Sequence, residues 1–167
     1  WLVDQGHTVF LISWVNPTKM LAPYEMTHYV LDGALAALDQ IERMLPRAKT
    51  QVMGYCAGGV IAAILAAWLS ARGEDRIASL SLFTTLLDYQ DPGPLGRFVS
   101  EKSIESIRKP LKEMGYLPAE LMLRTFASLR PHDLLFGRVL KSYVLGQRGK
   151  PFPLLHWLGD GTRTPAS

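Results

Sequence analysis

The chain has 167 residues, 48% of them hydrophobic, and a net charge of +3 from 18 Lys and Arg against 15 Asp and Glu. That length suits one domain with a full core, the apolar content excludes a disordered chain, and the small charge gives no call for a nucleic-acid partner. A single cysteine excludes an internal disulfide, and no apolar run is long enough to cross a bilayer, the longest, residues 60–69, suiting a buried helix.

The opening "WLVDQGH" reads as the last turn of a helix, and the closing "GTRTPAS" brings no closing element. The chain is therefore expected to be an internal fragment of a longer protein. "HTVFLIS" (7–13), rich in β-branched and aromatic residues after Gly6, predicts a buried strand. Asn16 and Pro17 mark a turn. Val30, Ala34, Ala37, Leu38, Ile41 and Leu45 then recur at helical spacing, with Asp32, Asp39, Glu42 and Arg43 elsewhere on the wheel. This predicts an amphipathic helix from about Thr27 to Leu45, stopped by Pro46.

"TQVMGY" (50–55) reads as a strand, residues 57–72 as a helix apolar almost all round and so deeply covered, and "IASLSLF" (77–83) as a third strand. Strand, helix, strand, helix, strand is the order of a parallel α/β sheet. Beyond Asp88 the pattern changes: 8 of the 11 prolines follow residue 90, and short helical pieces are expected at 99–114, 118–129 and 132–145. Strand character is next expected only at "PLLHW". Residues 1–90 therefore read as an α/β core and 91–167 as a helical insertion packed over it. The second part carries 12 basic and 7 acidic side chains against 6 and 8 in the first. That excess suits a polyanion such as the phosphates of coenzyme A, and equally describes solvated helix faces.

The lone cysteine stands in "GYCAGG" (54–59), between a predicted strand and a predicted helix. G-x-nucleophile-x-G in that context is a nucleophile elbow, with Cys56 where serine is usual. Gly54 and Gly58 are expected because side chains there would strike the tight turn, and Gly59 because it lets helix and strand approach. The helix N-terminus favours negative charge at the sulfur, and the Ala57 N–H points to where an oxyanion would form on an attacked carbonyl. The plainer alternative is an inert buried thiol; motif, spacing and context together favour the nucleophile. Neither G-x-G-x-x-G nor a G-K-[ST] ending is present, so a phosphate-binding loop is not expected, nor any cofactor or metal.

A nucleophile needs a base, and in the hydrolase order acid and then histidine follow it. Downstream lie His132 and His156, both in the helical part and both better read as surface or packing residues. Asp88 is either a site residue or the turn-former of "DPG". His7 and His28 precede the elbow. The base is thus expected beyond residue 167.

Taken together, "QGHTVFLISWVNP" (5–17), "DGALAALD" (32–39), "GYCAGG" (54–59), "LFTTLLDYQDPGPLG" (82–96), "GYL" (115–117), "LRPHDLL" (129–135) and "LLHWLGDGTRTP" (154–165) make the chain resemble the polyhydroxyalkanoate synthases over nearly its whole length. The resemblance implies an α/β-hydrolase fold with a helical cap, and a cysteine acyltransferase with Cys56 as nucleophile. Such an enzyme polymerises (R)-3-hydroxyacyl-coenzyme A into polyester and releases coenzyme A. It also implies a cytoplasmic location at polyester granules, a homodimer, and triad partners farther along the chain. Departures are small: Leu158 and Val15 replace residues common in the family motifs, and His132 stands where relatives often have asparagine. "GYCAGG" with "SWVNP" looks more like the synthases of short-chain monomers. Phe126, Phe136 and Trp157 are candidates for excluding water, though core packing explains each individually. Two rival readings are a cysteine thioesterase on the same fold and a non-catalytic granule-associated relative.

Overall fold

A computed structural model describes residues 1–93, 96, 100–118, 121, 143–146 and 164–165. The chain divides into two compact units, one of residues 1–15 and 24–89, the other of residues 16–23 and 90–167.

In the first unit, residues 1–6 close a hydrogen-bonded turn, Gln5 N–H donating to Trp1 O at 3.1 Å, and Gly6 ends it at φ 85°. The predicted amphipathic helix is continuous but not uniform. It comprises α1 (Met26–His28), a π-helical stretch Tyr29–Leu35 and α2 (Ala36–Met44). A reciprocal capping box starts it, in which the Glu25 N–H donates to His28 Nδ1 at 2.9 Å. Pro46 lies just beyond Leu45, whose φ of −132° has already left the helix.

Strand β1 (Thr50–Tyr55), helix α3 (Ala57–Ala71) and strand β2 (Ile77–Phe83) follow as read from the sequence, and β1 and β2 pair in parallel. A register shift between Thr50 and Gln51 sets Gly54 opposite Leu82 and Tyr55 opposite Phe83. Among the described residues the core cluster is Val30, Leu38, Ile61, Leu65 and Leu69, contributed by the long helix and α3. Arg76, just before β2, ties this end of the sheet to α2. Its guanidinium donates to both carboxylate oxygens of Glu42 at 2.8 and 2.9 Å and to Asp39 at 2.6 Å. The hydrogen bond to Glu42, ahead of the other contributions, holds the Arg76 pKa above its usual range.

Two expectations are corrected. Residues 7–13 form no strand: they are irregular and exposed, with no ladder partner among the described residues. Phe10, Leu11 and Ile12 line an apolar cavity of about 620 Å³ together with residues of the long helix, β1 and α3, so this segment meets the sheet through side chains and not through a ladder. What holds this segment is its end: the Trp14 ring sits where a Cβ on Gly33 would be, 2.6 Å from that position, and lies 5.4 Å from the Tyr29 ring. Helix α3 is not covered all round either. Gly59, Ile61, Ala62, Leu65 and Leu69 are buried while Ile64 is 39% exposed, because the described partners of α3 pack on one side of it.

In the second unit, a 3₁₀ turn (Lys19–Leu21) and helix α4 (Glu101–Met114) are described, within the helical piece expected at 99–114. Ser100 caps α4 by accepting from the Ser103 N–H at 3.3 Å. Gly115 ends it at φ 80°. Two-residue strands β3 (Tyr116–Leu117) and β4 (Thr164–Pro165) pair antiparallel. The helices expected at 118–129 and 132–145, and the strand at "PLLHW", lie wholly or almost wholly outside the described residues. No described helix is long and apolar enough to cross a membrane.

Candidate active site

Cys56 occupies the single residue between β1 and α3 and is exposed. Its backbone lies at φ 52°, ψ −121°, a region that residues with a Cβ enter only at a cost of about 1–3 kcal/mol. Three hydrogen bonds hold it there. The Cys56 N–H donates to Phe83 O at 2.9 Å, across to the end of β2, while Cys56 O accepts from the N–H groups of Gly59 at 2.9 Å and Val60 at 3.3 Å. The side chain therefore projects from the carboxyl end of the sheet at the N-terminus of α3.

Ala57 is the first residue of α3, so its N–H has no intrahelical acceptor. Gly54 is required sterically: a Cβ there would lie 2.5 Å from Gly59 Cα and 2.9 Å from Gly58 O. Gly59 is buried, touches β1 through that approach, and has no room for a Cβ because the Thr85 side chain fills the space. Gly58 differs from the expectation. A Cβ on Gly58 meets nothing within 4 Å, because the turn tightens toward Gly54 and Gly59 and leaves Gly58 on the open side. Pressure on the turn thus comes from positions 54 and 59.

No described hydrogen bond reaches the Cys56 sulfur. His28 is engaged in capping α1; His7 begins the irregular segment, its backbone N–H donating to Leu2 O at 3.2 Å. Asp88 is exposed, in the stretch after β2. His132, His156, Phe126, Phe136 and Trp157 lie outside the described residues. No cluster of His, Cys, Asp and Glu among the described residues could hold a metal ion.

Sequence reasoning missed the pair Thr84–Thr85. Thr84 has φ 47°, and among the described residues only it and Cys56 have positive φ without being glycine. Thr85 donates its hydroxyl to Phe83 O at 3.0 Å, the same carbonyl that accepts from Cys56. Two β-branched residues after a strand give no sign of a left-handed turn.

No protein-family model matches the chain. Among curated proteins it is 39% identical to poly(3-hydroxyalkanoate) polymerase subunit PhaC of Rhizobium meliloti, over all of this chain and 27% of that protein. It is 38% identical to poly(3-hydroxyalkanoate) polymerase of Methylorubrum extorquens, over 100% of this chain and 28% of that one. The polymerase subunit PhaC of Cupriavidus necator is likewise 38% identical, over 98% of this chain and 29% of its own length. The chain thus spans less than a third of these relatives.

Proposed function

The chain is homologous over its whole length to part of the poly(3-hydroxyalkanoate) polymerases, and we propose that it carries the nucleophile of such an enzyme, Cys56, on an α/β-hydrolase-type elbow. The observation that carries this reading is the backbone of Cys56, exposed and held at φ 52° between a parallel strand and a helix N-terminus. A structural thiol needs neither the exposure nor the strain.

In this mechanism the Cys56 thiolate attacks the thioester carbonyl of a 3-hydroxyacyl-coenzyme A. The negative charge developing on the carbonyl oxygen is met by the Ala57 N–H at the start of α3. The new C–S bond to Cys56 forms as the C–S bond to coenzyme A breaks, and the departing thiolate takes up the proton that Cys56 lost. A chain-end hydroxyl then attacks the acyl-enzyme, forming an ester and returning the Cys56 sulfur. The reading assigns the base that moves these protons to a residue outside the described ones. One thioester is exchanged for another in the first step, so a sulfur nucleophile forms the intermediate without a large change in bond energy. Gly54 and Gly59 serve by letting the elbow close. Residues 1–90 supply the core that presents Cys56, and residues 91–167 a helical cap that keeps water from the acyl-enzyme. The wider setting proposed is a cytoplasmic homodimer at the surface of its polyester granule.

The test is Cys56→Ala in the enzyme that carries this chain, assayed with (R)-3-hydroxybutyryl-coenzyme A. Coenzyme A release should fall by at least about 10³-fold, with polyester as the product of the unaltered enzyme. Retention of the rate by Cys56→Ala overturns the assignment of the nucleophile; free 3-hydroxybutyrate in place of polymer would make the enzyme a thioesterase.

A further inference from the structure

We infer that Thr85, aimed by the strained turn at Thr84, is a positioning residue for the Cys56 nucleophile; this rests on the acyl-transfer reading above. Cys56 and Thr84 follow directly on the paired strands β1 and β2, and Tyr55 and Phe83, the last residues of those strands, are register partners. Both have positive φ, 52° and 47°. For a β-branched residue this is an outlier that the surroundings must impose.

The strained turn delivers the Thr85 side chain to two places at once. Its hydroxyl donates to Phe83 O at 3.0 Å, beside the Cys56 N–H at 2.9 Å. The same hydroxyl oxygen lies nearest the point over Gly59 that a Cβ would need, and Cβ and Cγ2 of the half-buried side chain follow at 2.8 Å. Gly59 in turn donates its N–H to Cys56 O at 2.9 Å. Thr85 therefore contacts the acceptor of the Cys56 N–H and the donor to the Cys56 carbonyl. Both peptide groups that define the dihedral angles of Cys56 are buttressed by one side chain. Thr85 gives its hydroxyl to Phe83 O, and no described hydrogen bond joins it to the sulfur, so its effect on chemistry runs through the placement of Cys56 relative to the Ala57 N–H. A small misplacement of that kind lowers the rate of the chemical step and leaves ground-state binding unchanged.

The experiment measures kcat and KM for coenzyme A release from (R)-3-hydroxybutyryl-coenzyme A by the enzyme carrying this chain, with Thr85→Val, Thr85→Ser and Thr84→Gly, and Cys56→Ala in parallel. Thr85→Val keeps the shape and removes the hydroxyl; kcat should fall roughly tenfold, the effect of about 1.4 kcal/mol at the barrier, with KM within about twofold. Thr85→Ser restores the donor and should recover most of that loss. Thr84→Gly relieves the positive φ, so Tm should hold or rise while kcat falls severalfold as the turn relaxes; this variant decides the matter if Thr85→Val does not fold. The inference is overturned if Thr85→Val and Thr84→Gly keep the unaltered kcat, or if Thr85→Ser is no better than Thr85→Val and activity simply follows the folded fraction. A fully active Cys56→Ala would instead sink the acyl-transfer reading on which the inference rests.

Discussion

Cys56 at φ 52°, ψ −121° is in a conformation that suits glycine, so stability and the proposed chemistry make opposite demands on this residue. Cys56→Gly should therefore be more stable than Cys56→Ala by about 1 kcal/mol, although both lack the thiol. Paired thermal melts check this, and equal stabilities would mean that the backbone at 56 is not strained. The glycines around it are not equivalent. Gly54→Ala drives a Cβ into the backbone of α3 at 2.5 Å, where neither wall can yield, and should destabilise by roughly 3 kcal/mol. Gly58→Ala points into open space within a helix, and should be neutral or stabilising by up to about 1 kcal/mol. Urea titrations of the two variants should separate clearly. The motif makes Gly54 and Gly58 look symmetric about the cysteine, whereas the helix that starts at Ala57 closes on one side of the turn alone.

Among the elements, the Arg76 cluster joins α2 to the start of β2 and so holds the long helix to the sheet that presents the elbow. The side chain of Arg76 is 18% exposed, and its partners Asp39 and Glu42 are 43% and 37% exposed. Solvent screens the carboxylates, so Arg76→Met should cost about 1–2 kcal/mol rather than the larger penalty of a fully buried pair. Lysine cannot reproduce the paired bonds to Glu42 and should recover only part of the loss. Chemical denaturation of the three proteins reads the difference. Nearer the start of the chain, Trp14 lies on Gly33 of the π-helical stretch. Gly33→Ala should push the indole outward and shift its emission to longer wavelength, measurable against Trp14→Phe as the reference for the other tryptophans. The helix from 26 to 44 was legible from its apolar spacing. The π-helical widening within it was not, because spacing reports which face is buried and not which carbonyl each N–H selects.

At the scale of the whole molecule, one run of exposed apolar side chains stands out among the described residues. Val9, Phe10, Leu11, Ile12 and Val15 are all more than 40% exposed, with Leu11 at 91% and Val15 at 81%. A run of that kind favours association with another apolar surface. The 167-residue chain should therefore bind the dye ANS and self-associate at micromolar concentration, and Leu11→Lys should weaken both. Light scattering checks the second effect, and a monodisperse monomer with no dye binding would contradict it. The sequence determined by itself where β1, α3 and β2 lie, where the long helix runs, and that Cys56 stands at a strand-to-helix turn, because periodicity, glycine and proline act through neighbouring residues. Tertiary structure alone decided that residues 7–13 carry no ladder among the described residues, that Gly59 rather than Gly58 is pressed, and that Thr85 does the pressing. Each depends on a contact between distant positions, as between Gly59 and Thr85, and local pattern carries no record of which surfaces will meet.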